Sequence, residues 1–247
     1  MNVLSISSPT IVLVHGALTD ASVWNDVIRR LQASDRNVVA PALPMRNLTG
    51  DAAYLAGVID RIPGTVILAG HSYAGAVISH PAVAARASVA ALVYIAAFQP
   101  DSGESAGELN AKFPGSLLTP ENLLVEPNPL GGQDLTLRPE RFAEVYAADV
   151  DPALAAVMAV AQRPLEPAAL GESLPGEPTW RTRPSWALVS TRDRSLPPEI
   201  LRYMAERAGS RIVEVDSSHA APVSQPAAVT DLILAAVSSV ADAGLRR

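Results

Sequence analysis

Short apolar runs alternate with segments of helical period along most of the chain. Thr10 to Val14 is a continuous β-branched run closed by His15 and Gly16, the pattern of a strand buried on both faces. Between Ala21 and Leu31 the period changes, with Val23, Val27, Ile28 and Leu31 on one helical face and Arg29 and Arg30 on the other. Asn37 to Ala40 predicts a second strand closed by Pro41 and Pro44, and Asp51 to Ile62 a second helix ended by Pro63 and Gly64. Thr65 to Ala69 is a third strand, Ser72 to Ser79 a helix stopped at Pro81, and Val89 to Ala96 a fourth strand. Late in the chain the rhythm returns, with strands at Ser185 to Ser190 and Ile212 to Val215 and helices at Pro197 to Ala208 and Ala227 to Val240. Strands joined through helices rather than two-residue hairpins predict an α/β fold. Its sheet is mostly parallel, doubly wound, of about six strands, with helices on both faces.

Residues 98–184 break the pattern. Twelve of the 21 prolines lie between Pro100 and Pro184, and only Arg141 to Tyr146 and Pro152 to Ala161 read as helix. An irregular insertion of this length inside a compact domain predicts a cap over a binding site. The expected organisation is one core domain, residues 1–97 and 185–247, carrying a cap at 98–184.

Composition narrows the classes. Apolar residues are 49% and charged residues 18% of the 247, as in a folded globular protein. A net charge of −6 without a lysine and arginine cluster argues against nucleic acid as a partner. The absence of cysteine removes thiolate catalysis and cysteine metal sites, and no metal is expected. No signal-like start and no stretch near the roughly 20 apolar residues of a spanning helix are read, so a cytoplasmic protein without membrane contact is expected. Lys112 is the only lysine among many arginines, a bias that points to a bacterial genome.

The chemistry concentrates in a few places. Gly70, His71, Ser72, Tyr73, Ala74 and Gly75 lie between a predicted strand and a helix, where a sharp turn would lift Ser72 above the sheet. The G-x-S-x-G pattern has glycine where Ala74 stands. A serine hydroxyl needs a base, and of four histidines His219 lies after the last strand, at the carboxyl end of the sheet where ligands gather. His15, His71 and His80 read as structural or surface residues. The base needs an acid: Asp193, after the strand ending at Ser190, is the first choice, and Asp101 competes. Backbone amides of Tyr73 and Ala17 are the expected oxyanion donors, with Gly16 permitting close approach.

TIVLVHGA, GHSYAG, TRD after a strand and SSHAAPVSQP together resemble short bacterial α/β-hydrolases classed as esterases. They are also similar to plant salicylate-type methylesterases and hydroxynitrile lyases. The resemblance implies the α/β-hydrolase fold, a Ser72, Asp193 and His219 triad in that chain order, oxyanion amides at Ala17 and Tyr73, a cap, and no cofactor. Hydroxynitrile lyases of this group have threonine where Gly16 stands and lysine where Ala220 follows His219, which disfavours lyase chemistry. Ser72 also excludes the aspartate nucleophile of haloalkane dehalogenases.

The expected activity is that of a carboxylesterase-like serine hydrolase, acting on a small to medium hydrophobic ester through an acyl-serine intermediate. Gly16, Leu18, Phe98 and Trp180 are expected around the substrate. A cofactor-free perhydrolase and a ligand sensor with a hydrolase fold are the alternatives. The expected partner is a small-molecule ester, and a homodimer is one arrangement open to the chain.

Overall fold

The computed structural model describes residues 8–129 and 131–244. β1 (Thr10–Val14) leads through a 3-10 turn at Ala21–Trp24 into α1 (Asn25–Ala33), so the predicted helix starts with a tighter turn, capped by the Asp20 side chain, and ends later. β2 (Val38–Val39) and α2 (Leu48–Ile59) follow. α2 begins three residues before the expected Asp51 because Asn47 caps it, its side chain accepting from the Gly50 amide at 2.6 Å. β3 (Val66–His71) precedes α3 (Ala74–Ser79), and Pro81 opens α4 (Pro81–Ala84) rather than simply ending the helix before it. β4 (Val89–Ile95) completes the first half.

Residues 98–184 carry more regular structure than expected. They form α5 (Ala106–Ala111), an antiparallel hairpin of β5 (Leu123–Pro127) and β6 (Gln133–Leu137), α6 (Pro139–Val145), α7 (Pro152–Val160) and α8 (Ala168–Gly171). α5 is held by a reciprocal capping box between Ser105 and Glu108. β7 (Ser185–Ser190), α9 (Pro198–Arg207), β8 (Arg211–Val215), α10 (Ala221–Ser224) and α11 (Pro226–Gly244) return to the α/β rhythm.

Six strands pair in parallel in the order β2-β1-β3-β4-β7-β8. Alternation in β1 sends Ile11 and Leu13 to one face, against Val27 and Leu31 of α1 and Val229, Ile233 and Val237 of α11. Val12 and Val14 face the other way, into a core that includes Leu55 of α2, Val77 of α3 and Phe142 of α6. From β1 the chain winds outward one way to β2 and then, through β3, the other way. The carboxyl ends of β1 and β3 therefore flank the topological switch point, where open α/β sheets bind ligands.

One expectation is corrected. In α11 the 18 residues Pro226–Ala243 have a mean hydropathy of 1.4, enough by length and composition to cross a membrane. Its buried apolar positions, Val229, Leu232, Ile233, Ala236 and Val237, form a stripe at helical spacing that packs on the sheet and α1, as a core helix does.

Candidate active site

The turn after β3 is built by steric exclusion. A Cβ on Gly70 would lie 2.9 Å from the Ala74 carbonyl oxygen, and one on Gly75 would lie 2.1 Å from that of Phe98. Strand, turn and helix thus touch where only glycine fits. Ala74, at the position where the pattern has glycine, is buried in the core, and Gly75 makes the close approach instead. Ser72 has φ 57°, in the left-handed region, which costs a non-glycine residue about 1 kcal/mol or more. That conformation turns its side chain away from the strand below.

Ser72 Oγ lies 2.8 Å from His219 Nε2, and His219 Nδ1 lies 2.6 Å from Asp193 Oδ2. A carboxylate oxygen only accepts, so Nδ1 donates and Nε2 is left to accept the serine proton. Asp193 Oδ1 accepts from the amides of Ser195 and Leu196 at 2.7 and 2.8 Å, which fixes the carboxylate plane. All three side chains are buried. Asp101 is paired with Arg181, and Asp216 with Arg192; neither meets His219.

Ser72 and His219 open onto a cavity of about 410 Å³ whose lining includes Leu18, Phe98, Phe113, Leu135 and Tyr146. Ala17 and Tyr73, the expected oxyanion donors, also line it, and among the described residues their amides bond to no protein acceptor. Of the four residues expected around substrate, Leu18 and Phe98 are there. Trp180 is not: its indole N–H donates to the Pro100 carbonyl at 2.9 Å and the Arg181 guanidinium covers its ring, so it ties the end of the insertion to its start after β4. Gly16 lies behind Ser72, where a Cβ would stand 2.6 Å from Ser72 Cβ and 2.8 Å from the His71 carbonyl oxygen. Its part is to let β1 approach the turn. Among the described residues no group of three or more histidines, aspartates and glutamates converges as metal ligands would.

A family model described as the alpha/beta hydrolase family matches residues 11–232. The chain belongs to that family. No curated protein matches this hydrolase by sequence. Among solved structures it is similar to a pyrethroid hydrolase from Sphingobium faniae JZ-2, at 25% identity and TM-score 0.76 over 95% of this chain and 99% of that one. It is also similar in fold to polyneuridine aldehyde esterase, at 21% identity and TM-score 0.79 over 93% and 99% of the two chains. A methylesterase from Arabidopsis stands at 18% identity and TM-score 0.77, covering 93% and 99%.

In this hydrolase three further residues hold the site. His71 Nε2 lies 2.8 Å from the His219 carbonyl oxygen. A carbonyl only accepts, so Nε2 carries the proton, and Nδ1 is buried without a partner among the described residues. Burial, reinforced by the neighbouring His219, holds the His71 ring well below the usual histidine range. His15 Nε2 accepts from the Leu43 amide at 3.0 Å, so its Nδ1 donates to the Gly16 carbonyl at 2.9 Å and fixes the peptide that carries the Ala17 amide. Tyr146 meets the His219 ring edge-on at 4.7 Å. Its carbonyl accepts from the Ala220 amide and Ser218 Oγ, and the Val145 carbonyl accepts from Ser195 Oγ. The end of α6 therefore clamps both the histidine loop and the acid loop. Sequence reading missed Tyr146; an aromatic residue at a helix end carries no local signal of a contact so far along the chain.

Proposed function

We propose that this hydrolase cleaves small to medium hydrophobic carboxylic esters through an acyl-serine intermediate. The observation that carries the reading is an unbroken hydrogen-bond chain from Asp193 through His219 to Ser72, opening at the serine into a largely apolar cavity. In this reading His219 Nε2 takes the Ser72 proton as Oγ attacks the ester carbonyl, and Asp193 holds the ring and stabilises the imidazolium. The Ala17 and Tyr73 amides receive the oxyanion, each worth roughly 3 kcal/mol of barrier. His219 then protonates the departing alcohol, leaving the acyl group on Ser72. Water, deprotonated by the same ring, attacks the acyl carbon and releases the acid, and the serine proton is restored. We assign residues 98–184 as the cap, supplying Phe113, Leu118, Leu135 and Leu165 to the cavity wall. The pyrethroid hydrolase, similar over nearly the full length of both chains, supports a hydrolytic reaction.

Purified protein is expected to turn over p-nitrophenyl butyrate steadily, and Ser72→Ala to lower that rate by several orders of magnitude. Undiminished turnover by Ser72→Ala, or no hydrolysis by the wild type across a panel of esters graded in acyl and alcohol size, would overturn the reading.

A further inference from the structure

Asp51 is a fully buried carboxylate outside the triad. It sits in the first turn of α2, whose cap is Asn47, so capping does not fall to it. Its Oδ1 accepts from the Met45 amide at 2.9 Å, its Oδ2 accepts from the Tyr73 hydroxyl at 3.0 Å, and the Arg46 backbone amide also reaches it. Donors from the 45–46 loop and from the turn after Ser72 therefore converge on one group. Burial pushes this carboxyl above the ordinary aspartate range, and these donors pull it back. The Tyr73 hydroxyl is also buried and held up by burial and by Asp51, so it remains a donor.

A buried carboxylate costs several kcal/mol of desolvation, an expensive way to tie a loop when a neutral side chain would answer a single donor. What it clamps are two strained places. Met45 has φ 64°, and Ser72, the residue before Tyr73, has φ 57°. Such conformations persist only where their surroundings over-determine them. The Tyr73 amide and the Tyr73 hydroxyl belong to one residue, so a pull on the ring sets the peptide that would face the oxyanion.

We propose that Asp51 is a positioning residue for the nucleophile turn, acting through the Tyr73 hydroxyl to hold the Ser72–Tyr73 peptide in place. This rests on the reading of Ser72 as nucleophile and the Tyr73 amide as oxyanion donor. Tyr73→Phe keeps the ring and removes only the link; Asp51→Asn keeps the shape and removes the charge.

The test compares wild type, Tyr73→Phe, Asp51→Asn, the double variant and Ser72→Ala. It reads kcat and KM on p-nitrophenyl butyrate, inhibition by a trifluoromethyl ketone that forms an oxyanion adduct on serine, and the thermal midpoint. Each single variant is expected to lose roughly ten- to hundred-fold in kcat, with KM little changed and ketone affinity reduced in step. The double variant should be no worse than Asp51→Asn alone, since both changes cut one link. A lowered thermal midpoint with unchanged kcat per folded molecule would mean a merely structural role and overturn the proposal. So would full multiplication of the two losses. If Asp51→Asn does not fold, Tyr73→Phe decides: wild-type kcat and ketone affinity overturn the proposal. Ser72→Ala with full activity would sink the catalytic reading and this proposal with it, whereas an inactive Ser72→Ala beside unaffected Tyr73→Phe and Asp51→Asn would sink the proposal alone.

Discussion

Asp193 and Asp101 both follow strands of the same sheet, and only their partners separate them. Asp193 bonds His219, while Asp101 is spent on Arg181. Asp193→Asn is thus expected to lower kcat by roughly 10⁴-fold, as loss of the orienting acid does elsewhere, with Asp101→Asn near wild type; steady-state kinetics on one ester checks both. The histidines give a second residue-scale prediction. His71, His15 and His80 are all held below the ordinary value of 6.5, with burial the largest cause in each. The folded chain then binds fewer protons than the unfolded chain, so their contribution to stability is full above about 6.5 and is lost as pH falls below it. Urea midpoints should drop between about pH 7 and 5, and His71→Gln should flatten that slope; an unchanged slope would contradict the assignment. That Ser72, Asp193 and His219 could meet was legible because each follows a strand at the same edge of the sheet. The link between His71 and His219 was not, because it joins a ring to a backbone carbonyl, and no residue type or spacing marks a carbonyl as a partner.

At the scale of elements, the core strands were legible to within a few residues, since a run buried on both faces has little to disguise it. The hairpin of β5 and β6 was not. β5 is half-buried to exposed and ends at Pro127, so it lacks both the alternation and the apolar density of a core strand. Proline and glycine mark turns, and their density in 98–184 reads as irregular loop although short helices fit between them. The helix read at Arg141 to Tyr146 is present as α6, and what its pattern did not signal is that its end touches both site loops. Tyr146→Ala is therefore expected to cost about 3–5 kcal/mol of stability and to lower kcat. Tyr146→Phe, keeping the ring on His219 and losing only the 3.4 Å contact to Thr19, should stay close to wild type in both. Urea unfolding and kinetics on the same preparations separate the two effects.

Across the whole molecule, topology converts distant sequence into one site. The strand order brings the ends of β1 and β3 together at the switch point, and β7 and β8 deliver the loops of Asp193 and His219 to the same rim. Residues 98–184 line the cavity at that rim and also brace the site loops through the end of α6, which a reading of this segment as a cover alone does not anticipate. α11 shows the opposite limit of sequence patterning: it is long and apolar enough for a membrane span, while its buried stripe packs as core. If the fold activates one serine among many, treating the protein with a fluorophosphonate and locating the adduct by peptide mass spectrometry will find it. One equivalent of label is expected on Ser72, with turnover lost in step and labelling strongly slowed in His219→Ala. Label on another residue, or full ester turnover after Ser72 is completely modified, would contradict it.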